Sequence, residues 1–303
     1  MSIAFQTPYG TSFHGPAEVI LTSPQAEQYQ KQVRLIFTSP PFPLNRKKKY
    51  GNLNGQAYID WLVSFAPLFK DLLMADGSIV IEMGNSWEPG RPIMSTLALR
   101  ALLALQEHGQ FHLCQQFIWH NSARLPSPAQ WVNVERIRLK DAFTYLWWLS
   151  PTERPKADNR RVLKEYSDSM QKLLVSGRYN AGKRPSEHHI GQASFLNDNN
   201  GAIPSNVITL ANTQASSDYL NYCRENGLQP HPARMPPELA SFFIRFLTDQ
   251  NDLVLDPFAG SNTTGSVAES LQRRWIAVEA SNEYIAGSKG RFNLDPAISQ
   301  STS

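Results

Sequence analysis

The chain carries only two cysteines, Cys114 and Cys223, in 303 residues. Thiols so few and so far apart argue against a disulfide scaffold and against a cysteine-based zinc site. Long apolar runs are absent as well. Nothing approaches the roughly 18 residues a membrane span needs, and the most apolar helical stretch, Leu97 to Leu105, carries Arg100. The opening residues, Met1-Ser2-Ile3-Ala4-Phe5-Gln6, lack a basic region and an apolar region, so no secretory signal is expected there. Excess charge is small: 29 Lys and Arg against 26 Asp and Glu leave +3, which by itself proves no nucleic-acid partner. What is present, 41% hydrophobic and 18% charged residues, is ordinary globular composition. Length favours one large α/β domain, or one domain carrying an insertion, over three small ones. A cytoplasmic protein without membrane contact is expected.

Strand and helix patterns alternate along the first half. Val33-Arg34-Leu35-Ile36-Phe37-Thr38 is a short strand that must turn at Pro40-Pro41. A basic loop, Arg46-Lys47-Lys48-Lys49, follows. From Tyr58 a helical stripe runs through Ile59, Leu62, Phe65, Phe69, Leu72 and Leu73, with Pro67 expected to kink or split it. Asp76-Gly77 is expected as a turn before the strand Ser78–Met83. A second helix is expected from about Ile93 to Glu107, stopped by Gly109 in a left-handed position. Strands follow at Leu113–Trp119 and Phe143–Leu149, with Trp147-Trp148 read as core. After Pro236-Pro237-Glu238, a good helix start, come a helix Leu239–Leu247, a strand Leu253–Asp256, a helix near Val267–Leu271 and a strand Trp275–Glu279. This alternation predicts a mostly parallel open sheet flanked by helices, an α/β fold.

Between residues 151 and 230 the rhythm breaks. From Arg154 to Arg184 there are nine basic residues and three acidic ones, a net +6. A basic, polar, weakly periodic insertion suits a polyanion-facing surface, and equally a solvated excursion. The expected division is therefore 1–150, 151–230 and 231–303.

Two motifs carry chemistry. Asp256-Pro257-Phe258-Ala259-Gly260-Ser261-Asn262-Thr263-Thr264-Gly265 ends a strand and opens a helix, where open α/β sheets bind ligands. Small residues admit a ligand to the backbone, and the helix start offers N–H groups. It is not a Walker A loop, because Ser266 stands where lysine is required, and it lacks the G-x-G-x-x-G dinucleotide pattern. Glu279 ends the next strand, where a carboxylate can accept hydrogen bonds from ribose hydroxyls. Together these suggest a nucleoside without a triphosphate; the alternative is a tight turn with no ligand. The second motif is Ser39-Pro40-Pro41-Phe42: an acceptor oxygen, a rigid turn and an aromatic face. It suits a planar base with an exocyclic amine, or is simply a turn.

Taken together, these residues resemble the catalytic and cofactor motifs of amino-group DNA methyltransferases that use S-adenosylmethionine. Serine at position 39 with Phe42 is similar to the cytosine-N4 subgroup; adenine-N6 enzymes more often carry Asp-Pro-Pro-Tyr. The catalytic motif precedes the cofactor motif by 217 residues, as in the permuted beta arrangement of that family. Asp76–Val80, Trp119–Asn121 through Leu125–Pro128, and His231–Pro236 resemble further family segments. Asn262, where relatives often carry glycine, and Gly15-Pro16, where many have Gly-Asp, depart from the pattern.

The resemblance implies a Rossmann-like methyltransferase fold with 151–230 as an inserted target-recognition region. It implies a modification enzyme acting on double-stranded DNA, of the kind that functions alongside a cognate restriction endonuclease without stable contact. Ser39 and the Pro40 carbonyl would orient a flipped cytosine amine, Pro41 would stiffen the turn and Phe42 would stack on the base. Asp256, Phe258, Ala259, Gly260, Ser261, Asn262 and Thr263 would hold the cofactor's methionine end, and Glu279 its ribose. Arg46, Lys47 and Lys48 would touch phosphate, and Arg178, Lys183, Arg184, His188 and His189 would meet DNA. No Pro-Cys setting supports a thiolate mechanism, and no metal is expected. An adenine-N6 methyltransferase, or a non-catalytic DNA-binding protein of the same fold, are the alternatives.

Overall fold

A computed structural model of the chain describes residues 2–42, 53–178, 195–212, 217–292 and 294, and the backbone of 182–183 and 189–190. Two compact units emerge: 1–157 with 206–303, and 158–205. The larger unit begins with β1 (Ser2–Gln6), β2 (Gly10–His14), α1 (Ala17–Leu21), α2 (Pro24–Glu27) and β3 (Val33–Thr38). It continues through α3 (Gly55–Leu72), β4 (Leu73–Gly84), α4 (Leu97–Gly109), β5 (His112–His120) and β6 (Phe143–Ser150). The smaller unit contains α5 (Asp168–Ser176) and a short antiparallel pair, β7 (Gly182–Lys183) with β8 (His189–Ile190). The chain then returns to the larger unit as β9 (Val207–Thr209), α6 (Asp218–Glu225), α7 (Pro237–Leu247), β10 (Leu253–Asp256), α8 (Thr263–Ser270), β11 (Arg274–Glu279) and α9 (Asn282–Ser288).

Among the described residues one sheet has nine strands in the order β1-β2-β11-β10-β3-β4-β6-β5-β9. Its centre, β2 through β4, is parallel throughout. The expected mostly parallel open sheet with flanking helices is the fold observed. β3 is buried along its whole length, and its one charged residue, Arg34, is paired with Asp76 and Asp252. Ile36 turns toward Leu62, Phe65 and Leu102 of α3 and α4. Leu35 and Phe37 turn toward Phe243, Ile244 and Leu247 of α7 on the opposite face. The connections leaving β3 and β10 run to opposite sides, so the topological switch point lies between these neighbours, where such sheets open a crevice.

Three local expectations are corrected. Pro67 neither splits nor ends α3, which runs unbroken for 18 residues. Pro67 lies on the exposed side, where water can satisfy the carbonyl it leaves unpaired, while the buried stripe holds the helix. Asp76-Gly77 is not a turn but part of a 12-residue β4, where the register against β3 shifts. The left-handed residue after α4 is Gln110, at φ 52°, and not Gly109. Gly109 serves close approach instead, since a Cβ there would stand 2.2 Å from the Phe111 ring. Among the described residues, no helix is long and apolar enough to cross a membrane.

Candidate active site

The carboxyl ends of β2, β3, β4, β10 and β11 open onto one cavity of about 900 Å³, within the range of small-molecule sites. The antiparallel β6 contributes from its amino end, through Thr144. Ser39, Pro40, Pro41 and Phe42 line this cavity together with Asp256, Phe258, Ala259, Gly260, Ser261, Thr263 and Glu279. Motifs 217 residues apart in the chain thus share one chamber, because β3 and β10 are direct neighbours.

A buried carboxylate joins the two motifs. Asp256 Oδ1 accepts from the Thr38 hydroxyl at 2.7 Å and from Phe258 N–H at 3.1 Å. Its Oδ2 accepts from the Thr264 hydroxyl at 2.7 Å. Burial pushes its pKa up, and these three donors oppose the rise. Asp256 lines the cavity, but most of its bonding capacity is engaged inside the protein, so it braces the cofactor turn more than it faces a ligand.

The turn itself is shaped by Gly260, at φ +53°, where a Cβ would stand 3.1 Å from the His231 ring. Asn262 takes the left-handed conformation at φ 53°, which asparagine tolerates better than most side chains. Asn262 does not line the cavity: it is buried, and its Oδ1 caps α8 by accepting from Gly265 N–H at 3.1 Å. Asparagine thus supplies the conformation by tolerance and adds a cap.

Glu279 accepts from Gly260 N–H at 2.8 Å through Oε2 and from Ser281 N–H at 2.7 Å through Oε1. Glu279 also lines the cavity, and a carboxylate there can accept from a pair of vicinal hydroxyls. Burial raises its pKa against these N–H bonds. The aromatic wall comes from α3. Phe42 meets Tyr58 edge-on at 6.0 Å, and Phe258 packs against Trp61 and Phe65 at 5.3 and 5.2 Å. Trp61 donates to the Glu18 carboxylate, which fixes the indole beside the turn.

Sequence reasoning missed several residues here. Glu82, near the end of β4, lines the cavity together with Ser39, whose hydroxyl is close enough to favour the ionised carboxylate. Burial raises its pKa; the Ser39 hydroxyl and the Arg124 charge oppose this, and Asp256 adds to it. Arg291, beyond α9, donates through Nε to the Ser261 carbonyl at 2.6 Å and lies over the Tyr219 ring at 4.5 Å. Burial lowers its pKa to about 10. Tyr219 of α6 in turn accepts from His231 N–H at 2.8 Å. Thr38 just precedes the Ser39 motif and Thr264 lies within the Asp256–Gly265 motif, and both could have been found as hydroxyls beside an expected buried acid; Arg291 and Tyr219 carried no such signal.

The nucleic-acid candidates are placed unevenly. Arg178 follows α5 and is exposed. Lys183 and His189 are paired across β7 and β8. Arg46, Lys47, Lys48, Arg184 and His188 lie outside the described residues.

A family model described as DNA methylase matches residues 33–290. The chain is 44% identical over 299 residues to the type II methyltransferase M.PvuII of Proteus hauseri, which covers 98% of this chain and 87% of that protein. A solved structure named PvuII DNA methyltransferase (cytosine-N4-specific) matches at 38% identity with a TM-score of 0.76, over 98% of this chain and 90% of that one. At 20% identity the M1.HpyAVI–SAM complex shares the fold, with a TM-score of 0.56 over 94% of this chain and 100% of that one.

Proposed function

The chain belongs to the DNA methylase family, and from that premise we propose that it moves a methyl group from S-adenosylmethionine to the exocyclic N4 amine of a cytosine in a specific duplex sequence. It does so as the modification enzyme of a restriction–modification pair, working in the cytoplasm on the cell's own DNA beside an endonuclease it does not bind. The observation that carries this reading is one cavity lined by Ser39 and Glu82 together with the Gly260 turn and the Glu279 carboxylate. Similarity to a cytosine-N4-specific enzyme along nearly the whole chain supports the choice of base.

The donor set fits S-adenosylmethionine. Glu279 offers acceptors for ribose hydroxyls, Phe258 an apolar face, and the Ala259–Ser261 backbone a turn with no side chain in the way at Gly260. When bound, the cofactor supplies an already activated methyl, so the protein's work is positioning. A cytosine amine inside a duplex is out of reach, and the base must leave the stack, which costs a few kcal/mol. Phe42 then stacks on the base, worth about 1–3 kcal/mol. The Ser39 hydroxyl and the Pro40 carbonyl accept from N4–H, which draws the nitrogen lone pair out of conjugation with the ring. Glu82 accepts from the Ser39 hydroxyl, so the proton that N4 releases passes to Ser39 as Ser39 hands its own to Glu82.

The test is to sequence DNA from cells expressing the protein with a method that detects modified bases, and to digest that DNA to nucleosides. N4-methylcytosine within one sequence context is expected. N6-methyladenine in its place would overturn the choice of base, and unmodified DNA would overturn the enzyme reading. Replacing Glu279 by alanine is expected to weaken S-adenosylmethionine binding by about tenfold or more, since two charge-assisted bonds are lost. Calorimetric titration reads this directly, and an unchanged affinity would show that the ribose lies elsewhere.

The smaller unit, which holds the basic run from Arg160 to Arg184, serves target recognition in this reading. Its exposed lysines touch phosphates, which carry no sequence information, while Arg178, Lys183, Arg184, His188 and His189 are its candidates for base edges and flanking phosphates. Arg46, Lys47 and Lys48 hold phosphate beside the catalytic turn. Neutralising Lys164 and Lys172 together, both exposed, is expected to weaken binding to all duplexes alike and flatten the salt dependence by about one to two units of slope. An unchanged slope would remove the phosphate role.

A further inference from the structure

The loop joining β5 to β6, residues 121–142, starts in the wall of the cavity, which Asn121 and Arg124 both line. Its two legs are tied together. Asn121 N–H donates to the Ala142 carbonyl at 2.8 Å and Asp141 N–H to the Ser127 carbonyl at 3.3 Å. Lys140 Nζ donates to the Ser122 and Arg124 carbonyls at 3.3 and 3.5 Å. The base is braced from outside as well: the Asn85 amide donates to the Asp141 carboxylate at 2.9 Å, and Arg138 donates to the Pro92 carbonyl at 3.1 Å. Leu125 follows Arg124 and Leu139 precedes Lys140, so the tie between those two residues sets one leucine on each leg of the loop. These leucines are 90% and 80% exposed, on a loop whose base is firmly held. Val134 and Ile137 are exposed on the same loop.

Around them stand Arg124, Arg136, Arg138 and Lys140, against Glu135 and Asp141. Glu135 accepts from Gln130 and Asp141 from Asn85, while Arg124, Arg138 and Lys140 donate to backbone carbonyls; four cations against two acids leave the loop at +2. Bare leucines among cations call for a partner that is anionic outside and apolar within. A DNA duplex meets that description, with phosphates at its surface and stacked bases inside. The loop also begins where a flipped base would enter, so the same duplex is already at hand.

We infer that Leu125 and Leu139 form a wedge that enters the base stack next to the target cytosine and fills the gap the flipped base leaves. The loop's arginines and Lys140 take the flanking phosphates. A wedge of this kind stabilises the opened duplex by covering base faces that unstacking exposes to water. The inference rests on the reading of the cavity as a site for a flipped cytosine.

The test uses the full-length enzyme and a duplex bearing the cytosine that the wild type methylates, in two forms: fully paired, and with the target cytosine mismatched. A mismatched base is cheap to unstack, so a wedge matters little there. Leu125→Ala with Leu139→Ala is expected to lose about tenfold or more in kcat/KM on the paired duplex and no more than about twofold on the mismatched one. S-adenosylmethionine affinity and Tm should stay unchanged. Leu125→Met with Leu139→Met, which keeps apolar bulk, should retain activity on both. Equal losses on the two duplexes, or no loss on either, would overturn the wedge. So would altered self-association by light scattering with undiminished turnover, which would place these leucines between two copies of the chain. A wild type that methylates no cytosine in any duplex overturns the functional reading as well, which separates that failure from failure of the wedge alone.

Discussion

Ser39→Ala is expected to lower kcat by about tenfold to a hundredfold, with S-adenosylmethionine affinity close to wild type. Loss of one hydrogen bond to the reacting amine is worth about 1–3 kcal/mol in the transition state, and each 1.4 kcal/mol is about tenfold in rate. The cofactor turn should not notice, because Ser39 sits on the loop after β3, while the turn follows β10. The partner substitution sharpens the point. Glu82 must be ionised to receive a proton through Ser39, and burial holds its carboxyl above the usual range. Turnover should therefore fall as pH drops through that raised pKa, at a higher pH than an ordinary carboxylate would set. Glu82→Gln should lower kcat and abolish that acid limb. A pH–rate profile of wild type and both variants reads all of this; full turnover in Ser39→Ala would end the assignment of the catalytic motif.

The second large effect concerns Asp256→Ala, expected to destabilise the protein by about 2–4 kcal/mol and to lower Tm by several degrees. Three donors lose their acceptor at once: the Thr38 and Thr264 hydroxyls and Phe258 N–H. Removing a buried charge also relieves its own desolvation, so the net loss stays below the sum of three bonds. The cofactor turn loses its brace, and affinity for S-adenosylmethionine should fall together with Tm. Thr38→Val and Thr264→Val should each cost about 1 kcal/mol, less than the carboxylate they serve. Calorimetry of the three variants tests the ranking; an Asp256→Ala protein as stable as wild type would show the link between the motifs to be incidental.

What could be read in advance was local. The Gly260 turn and Ser39-Pro40-Pro41-Phe42 depend on contiguous residues, so both were legible and the structure places them in one cavity. Glu82 was hidden because an acid near the end of an apolar strand reads as the solvent-facing exception. Its meeting with Ser39 follows from the pairing of β3 with β4, in which Thr38 stands opposite Ile81. Arg291 was hidden for the same reason at longer range: its partner Ser261 lies 30 residues away. The end of α4 failed on packing, since the Phe111 ring claimed the space over Gly109 and left the positive φ to Gln110.

The pairing of β3 with β10 also sets an order of events during synthesis. As the chain leaves the ribosome, β3 emerges with one flank lacking its neighbour, and that flank stays open until residue 253 appears. Strand β2 waits in the same way for β11. Such open edges are what chaperones shield on nascent chains. No fragment that stops short of Glu279 contains the whole chamber, so translation halted before that point yields no partly working enzyme. The lag between message and methylation is therefore at least the time needed to build the chain through Glu279.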